Sequence, residues 1–166
     1  MRLLPSNLNR SKRLGPRSGQ SMIEFALSFL LFTAIVMGFA QLTMAVWIKT
    51  ALHHCVREGS RYAITGSTQG GAGQVGSVKK VIKDNSAGLI NDANVDSYVL
   101  VEFHNSAGAK VTGAGANAGG NTVVVRINNY PIPTLISPLL SWVPDALTVS
   151  AASVGRLEPY TTAPTL

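Results

Sequence analysis

A single cysteine, Cys55, stands in the whole chain. No intramolecular disulfide can form, which excludes the cysteine scaffold of many small secreted domains. Charge is sparse at 13% of 166 residues, aromatic residues make up 7%, and no acid precedes Glu24. His53, His54 and Cys55 form the sole metal-like cluster. Consecutive side chains on a helix diverge by about 100°, so these three do not converge on one ion, and His104 is remote in sequence. Paired carboxylates and a Gly-x-Ser-x-Gly nucleophile elbow are missing as well. These gaps point away from an enzyme, and no metal or cofactor is expected.

The positive charge is also less than it looks. The formal net charge is +6, yet Arg2, Arg10, Lys12, Arg13 and Arg17 all precede Gly19. Without them the balance is 9 basic to 8 acidic residues. The basicity therefore belongs to an N-terminal leader, and no later stripe of basic and aromatic residues suits nucleic acid, so no nucleic-acid partner is expected.

What the chain does have is one long apolar run. From Phe25 to Ile48 there is no Asp, Glu, Lys or Arg. As a helix that run rises about 36 Å, enough to cross a hydrocarbon core of about 30 Å with some tilt. The five leader cations favour a cytoplasmic N-terminus, leaving the rest of the chain outside the cytoplasmic membrane. A secretory signal is the competing reading, with Phe25 to Met37 as its apolar core and cleavage after Ala40, before Gln41. Apolar character continues past that point through Leu42, Met44, Ala45, Val46, Trp47 and Ile48, which favours an anchor.

Beyond the anchor, Leu52, Cys55, Val56, Gly59, Tyr62 and Ala63 recur at spacings of three and four. This stripe extends the helix towards Ile64, with one face ready to hold a small domain; a helix from Ser21 to Ile64 would be on the order of 65 Å long. The segment RSGQSMIEFALSFLLF, followed by ALHHCVREGSRYAITG, resembles the TadE-like minor pilins, or pseudopilins, of the tight-adherence (Flp-type) pilus machinery. The features that carry the resemblance are Gly19 before a cleavage point, Glu24 at the fifth mature position, Phe25 after it, and Cys55 to Arg61. The match covers about residues 17 to 66, with a looser echo in the later strands and Arg156-Leu157-Glu158.

The resemblance implies trimming between Gly19 and Gln20 by a prepilin peptidase, an aspartic protease of the membrane. Glycine suits a chain that must be extended and closely held there. It also implies a pilus-assembly role, with other major and minor pilins, the peptidase, the inner-membrane assembly platform and the lipid bilayer as partners. An isolated carboxylate at a helix centre in lipid costs about 2.5 to 3.5 kcal/mol. Trimming would leave a free amine on Gln20, four residues from Glu24 and on the same helix face. That amine could meet Glu24 within its own subunit or, in a filament, Glu24 of a neighbour, which would set helix register. An uncleaved single-pass inner-membrane scaffold, and a soluble binding module released after Ala40, are the alternative readings.

The expected organisation is a basic leader over 1–19, an anchor helix over 20–49, its amphipathic continuation over 50–65 and a Gly-rich linker over 66–77. An extracytoplasmic, periplasmic domain over 78–160 and a tail over 161–166 follow. Gly71, Gly73 and Gly76 have GxGxxG spacing, but no strand precedes them, so a linker is expected instead of a dinucleotide site. Val78, Val81, Ile82 and Leu89 suggest a second short helix, with Lys79, Lys80 and Lys83 on its wet side. Alternation predicts three strands, carrying Val95, Val99, Val101 and Phe103; Val123, Val125 and Ile127; and Leu147, Val149 and Ala151. The Gly- and Ala-rich loop from Ser106 to Asn121 suggests mobility or a contact role by its length. Pro131, Pro133, Pro138 and Pro144 are expected to break the chain around an apolar crossover over Leu135 to Val143. The fold class is α+β and pilin-like: a long N-terminal transmembrane helix, a second helix and about three antiparallel strands laid on the outer half of the first helix.

Overall fold

The computed structural model describes residues 17–135, 137, 144–160 and 164–166. The four leader cations before Gly15 and most of the expected 135–143 crossover lie outside the described residues. Helix α1 runs Arg17–Ile64, and the chain divides into two compact units, Met1–Phe39 and Ala40–Leu166.

In the first unit, the described part is helix with its apolar residues uncovered. Met22, Ile23, Phe25, Leu27, Phe29, Leu30, Leu31, Phe32, Ile35, Val36, Met37 and Phe39 are all exposed, and Phe25 and Phe29 stack with ring centres 6.0 Å apart. The apolar window of this helix has a mean hydropathy of 2.1 with none of it buried. A core helix of a soluble protein would be covered on at least one side.

The second unit is α+β. After α1 come α2 (Gln74–Asp84), a helical turn α3 (Val95–Tyr98), and strands β1 (Val99–His104), β2 (Lys110–Val111), β3 (Thr122–Pro133) and β4 (Ala146–Arg156). The strands form one antiparallel sheet in the order β2-β1-β3-β4. Its inner face carries Val99 and Phe103 of β1, Val123, Val125 and Ile127 of β3, and Ala151 of β4. These share a core with Ile48, Leu52, Cys55, Val56 and Ala63 of α1 and with Val78 and Ile82 of α2. The expected stripe on α1 is therefore the seam on which the sheet and α2 settle, with Tyr62 half-buried at its margin.

Several local expectations are corrected. The stretch Val95–Tyr98 is a helical turn, so the first strand starts at Val99. A fourth, two-residue strand, β2, lies within the 106–121 loop. Pro131 and Pro133 stay inside β3, where they pair with Thr148 and Ala146 of an edge strand. A bulge accompanies this pairing: Asn128 and Asn129 oppose a single residue of β4, and Asn129 has φ 50°. The extra residue shifts the two-residue period, so Ile127 and Ile132 both face the core although five positions apart. Leu147, expected inside, is exposed.

Helix α2 begins at Gln74, inside the expected linker, and ends at Asp84, before Leu89. Gly66, with φ 65°, closes α1 by donating its amide to Ala63 O at 3.2 Å, a left-handed termination that glycine adopts without Cβ strain. The long Gly-rich loop contributes to the interior: Ala116 and Asn117 are buried. Asn117 Nδ2 donates to Gln74 Oε1 at 2.8 Å and to Pro164 O at 2.7 Å, while Gln74 Nε2 donates to Ala63 O at 2.7 Å. One buried amide relay thus ties together the end of α1, the start of α2, the loop and residue 164.

Candidate functional site

Gly19, Gln20, Glu24 and Phe25 all lie on α1, exposed. Gly19 is already helical, not extended, and a Cβ built on it meets nothing within 4 Å. The Gly19–Gln20 bond consequently sits in the first turn of a helix. The first four amides of a helix have no partner within it, so a first turn is the cheapest part of a helix to unwind. Gln20 Nε2 donates to Glu24 Oε1 at 3.1 Å, the four-residue contact expected of one helix face. In the intact chain a neutral amide, not an amine, is therefore the carboxylate's partner.

The metal-like triplet diverges: Cys55 is buried, His53 is half-buried and His54 is exposed. Among the described residues, no three His, Cys, Asp or Glu side chains converge on a common point. Cys55 Sγ lies 3.2 Å from Leu52 O, and burial pushes its thiol up to about 11, so it remains protonated and unreactive at neutral pH. Gly73, in the middle of the GxGxxG spacing, is likewise accounted for by the fold. The Gln74 amide donates to Thr165 O at 2.6 Å, and Leu166 lies against Gly73, so the chain itself fills the place a phosphate would take at the start of α2. Lys79 and Lys83 reach Asp96 and Asp92, each at 2.7 Å, and clip α2 to the 92–96 segment.

What remains uncovered is the N-terminal part of α1, with a carboxylate near its start and large apolar side chains around it. Residues 19–61 match the family model for TadE-like proteins. This segment is TadE-like. That family is a structural, pilin-like one associated with the Tad pilus. No curated protein and no solved structure matches the chain. The TadE-like segment lies wholly within α1 and includes both its bare apolar part and the stripe that holds the domain as far as Gly59.

Two residues of this segment make contacts that the apolar pattern does not reveal. Gln41, a polar residue in the apolar run, is buried: its Nε2 donates to Pro133 O at 3.3 Å and its Oε1 accepts from the Leu135 amide at 2.8 Å. A glutamine inside an otherwise apolar helix is the signal that could have marked this contact, because a buried amide needs partners. Gly59, noted as part of the stripe, is where α2 crosses α1. A Cβ there would lie 2.5 Å from Ile82 Cγ1.

Proposed function

We propose that the protein is a minor pilin of the tight-adherence pilus, inserted as a prepilin, trimmed between Gly19 and Gln20, and assembled by lateral packing of α1 with other pilins. The observation that carries this reading is the TadE-like helix itself: its 19–39 stretch exposes apolar side chains on every side, while Glu24 stands near its start. A helix of that kind requires lipid or other apolar helices around it, and the carboxylate requires a partner once there. Trimming would replace five leader cations by a single amine at Gln20, within reach of Glu24 of its own subunit or of a neighbour. The prepilin peptidase, the assembly platform and the major pilin are the partners this reading requires, with the C-terminal unit on the periplasmic side.

Release as a soluble module after Ala40 is the weaker reading. Ala40 is inside α1, and the next residue is held by Pro133 and Leu135, so a signal peptidase would have to unwind a helix at the point where the domain begins. N-terminal sequencing of the native protein tests the proposal. A start at Gln20 is expected; a start at Gln41 would establish the secreted module, and one at Met1 the untrimmed scaffold.

A further inference from the structure

Strand β4 ends the sheet, and its far side is open. The Leu157 amide donates to Asn121 O, so in this antiparallel pair every second residue before it, Gly155, Ser153 and Ala151, turns its backbone towards β3. The amides and carbonyls of Ser150, Ala152 and Val154 point the other way, and among the described residues no backbone group meets them. Edge strands are ordinarily guarded by shortness, charge, proline or a bulge. The opposite edge is guarded in this way, being the two residues of β2 with Lys110. Strand β4 has 11 residues, no proline and no charge from Ala146 to Gly155, and the bulge belongs to β3. Ser150, Ala152 and Val154 are all exposed.

Beside that edge runs a flank of α1. Helix and strand lie along one another: at one end Gln41 donates to Pro133 O, opposite Ala146, and at the other a Cβ on Gly155 would lie 2.5 Å from Ile64 Cδ1 and 3.1 Å from Ser60 Oγ. Lys49, His53 and Arg57 precede Ser60 and Ile64 on that flank, at spacings of three and four residues. Lys49 and Arg57 are exposed and His53 is half-buried. Among the described residues neither Lys49 nor Arg57 has an ion-pair partner, and the nearest acid in sequence, Glu58, is 3.5 Å from Arg61. Four residues of helix rise about 6 Å, and two residues of strand about 6.8 Å. A strand laid along this flank therefore meets Lys49, His53 and Arg57 in turn with every second side chain.

We propose that the edge of β4 from Ser150 to Val154 takes an extended segment of another protein as a fifth strand, with carboxylates on the face turned to α1. A strand is the guest because only an extended backbone matches amides and carbonyls that repeat every second residue. Its acids, two residues apart, meet Lys49, His53 and Arg57. It comes from another protein, since no two of this chain's 8 acidic residues stand two apart in sequence. The outward side chains of the guest lie beside Ser150 and Ala152, which are small and leave an open depression against Val124, Arg126 and Asn128. The site belongs to the Ala40–Leu166 unit alone, so it stands whether or not the Gly19–Gln20 bond is cut.

The full-length protein in detergent micelles is titrated with a fluorescein-labelled peptide of alternating Glu and Val, read by anisotropy, with hydrogen exchange followed at Ser150, Ala152 and Val154. Saturable binding and slowed exchange at these three amides are expected. Arg57→Glu replaces an attraction by a repulsion, and a loss of about tenfold in affinity is expected. Ala152→Pro removes an amide that faces away from β3, so β3–β4 pairing survives while peptide binding is lost. The same peptide N-methylated throughout keeps every carboxylate and is expected not to bind, as is one with Lys in place of Glu. Equal binding of the N-methylated peptide overturns the proposal by showing charge attraction alone, and equal binding of the Lys peptide overturns it by showing an edge indifferent to α1. Absence of binding overturns it as well. So does slowed exchange at the three amides on raising the protein concentration without peptide, since a second copy then covers the edge.

Discussion

Gly59 on α1 and Ile82 on α2 touch so closely that a Cβ on the glycine would lie 2.5 Å from Cγ1 and 2.9 Å from Cδ1 of the isoleucine. Both residues are buried, so the crossing of the two helices is set by the missing side chain. Replacing Gly59 by Ala would gain about 1 kcal/mol of helix propensity and lose about 1–3 kcal/mol to overpacking. Net destabilisation is expected in urea titrations of the detergent-solubilised protein. In an Ile82→Ala background the same change should become stabilising, since the atoms it strikes are gone; a penalty of unchanged size there would mean that Gly59 matters for another reason.

Glu24 should separate insertion from assembly. Glu24→Ala is expected to leave carbonate-resistant membrane association intact and to abolish or strongly reduce surface pili, because the register contact proposed for Glu24 would be lost while the apolar span would not. Glu24→Gln keeps the size and hydrogen-bonding capacity shown towards Gln20 but removes the charge. If pili form normally with Gln at this position, pairing with an amine is not what Glu24 supplies.

Gln41→Leu removes both contacts to the β3–β4 end and leaves the Leu135 amide without its acceptor. An unpaired buried donor costs about 1–3 kcal/mol. Faster amide exchange at Leu135 should follow, with β1 unaffected.

Asn117→Ala breaks the relay at its centre, freeing Gln74 Oε1 and Pro164 O together. Destabilisation of about 1–3 kcal/mol is expected from those unsatisfied groups. Hydrogen exchange should rise at Gln74, whose own amide is held by Thr165, more than along β3.

Acid sensitivity should come in part from Glu102. The hydrogen bond from Lys110 at 2.7 Å, supported by the charges of Lys110, Arg126 and His104, holds its carboxyl below the ordinary glutamate value. A depressed carboxyl contributes stability above the unfolded value of about 4.3, and that contribution is lost as pH falls through the lower folded value. The pair is near the surface, so after solvent screening the effect is under about 1 kcal/mol. Unfolding midpoints measured from pH 6 down to pH 2 should fall less steeply for Glu102→Gln than for the parent chain.

The stripe at Leu52, Cys55 and Val56 and the inner positions of β1 and β3 were legible because each repeats with the period of its element, and periodicity reports which face avoids water. The start of α2 was not, since Gly71 and Gly73 look like linker residues until Thr165 is seen to occupy the helix's first amide. Ile132 was hidden for a related reason. The bulge at Asn128 and Asn129 breaks the alternation on which the strand reading depends, and its position is fixed by the partner strand β4.

By itself the sequence determined that a long helix must leave water at its N-terminal end, that a carboxylate stands near its start, and that one stripe of its far end must be covered. Only the tertiary structure decided where the domain takes hold. Hydropathy records that a residue avoids water without recording what replaces the water, so Phe25 and Ile48 look alike in one uncharged run. In the folded chain Phe25 is 70% exposed for lipid or another helix, while Ile48 is 2% exposed beneath the sheet and α2. The domain begins at Gln41, well inside the run, because contacts from Pro133 and Leu135, more than ninety residues away, satisfy that side chain.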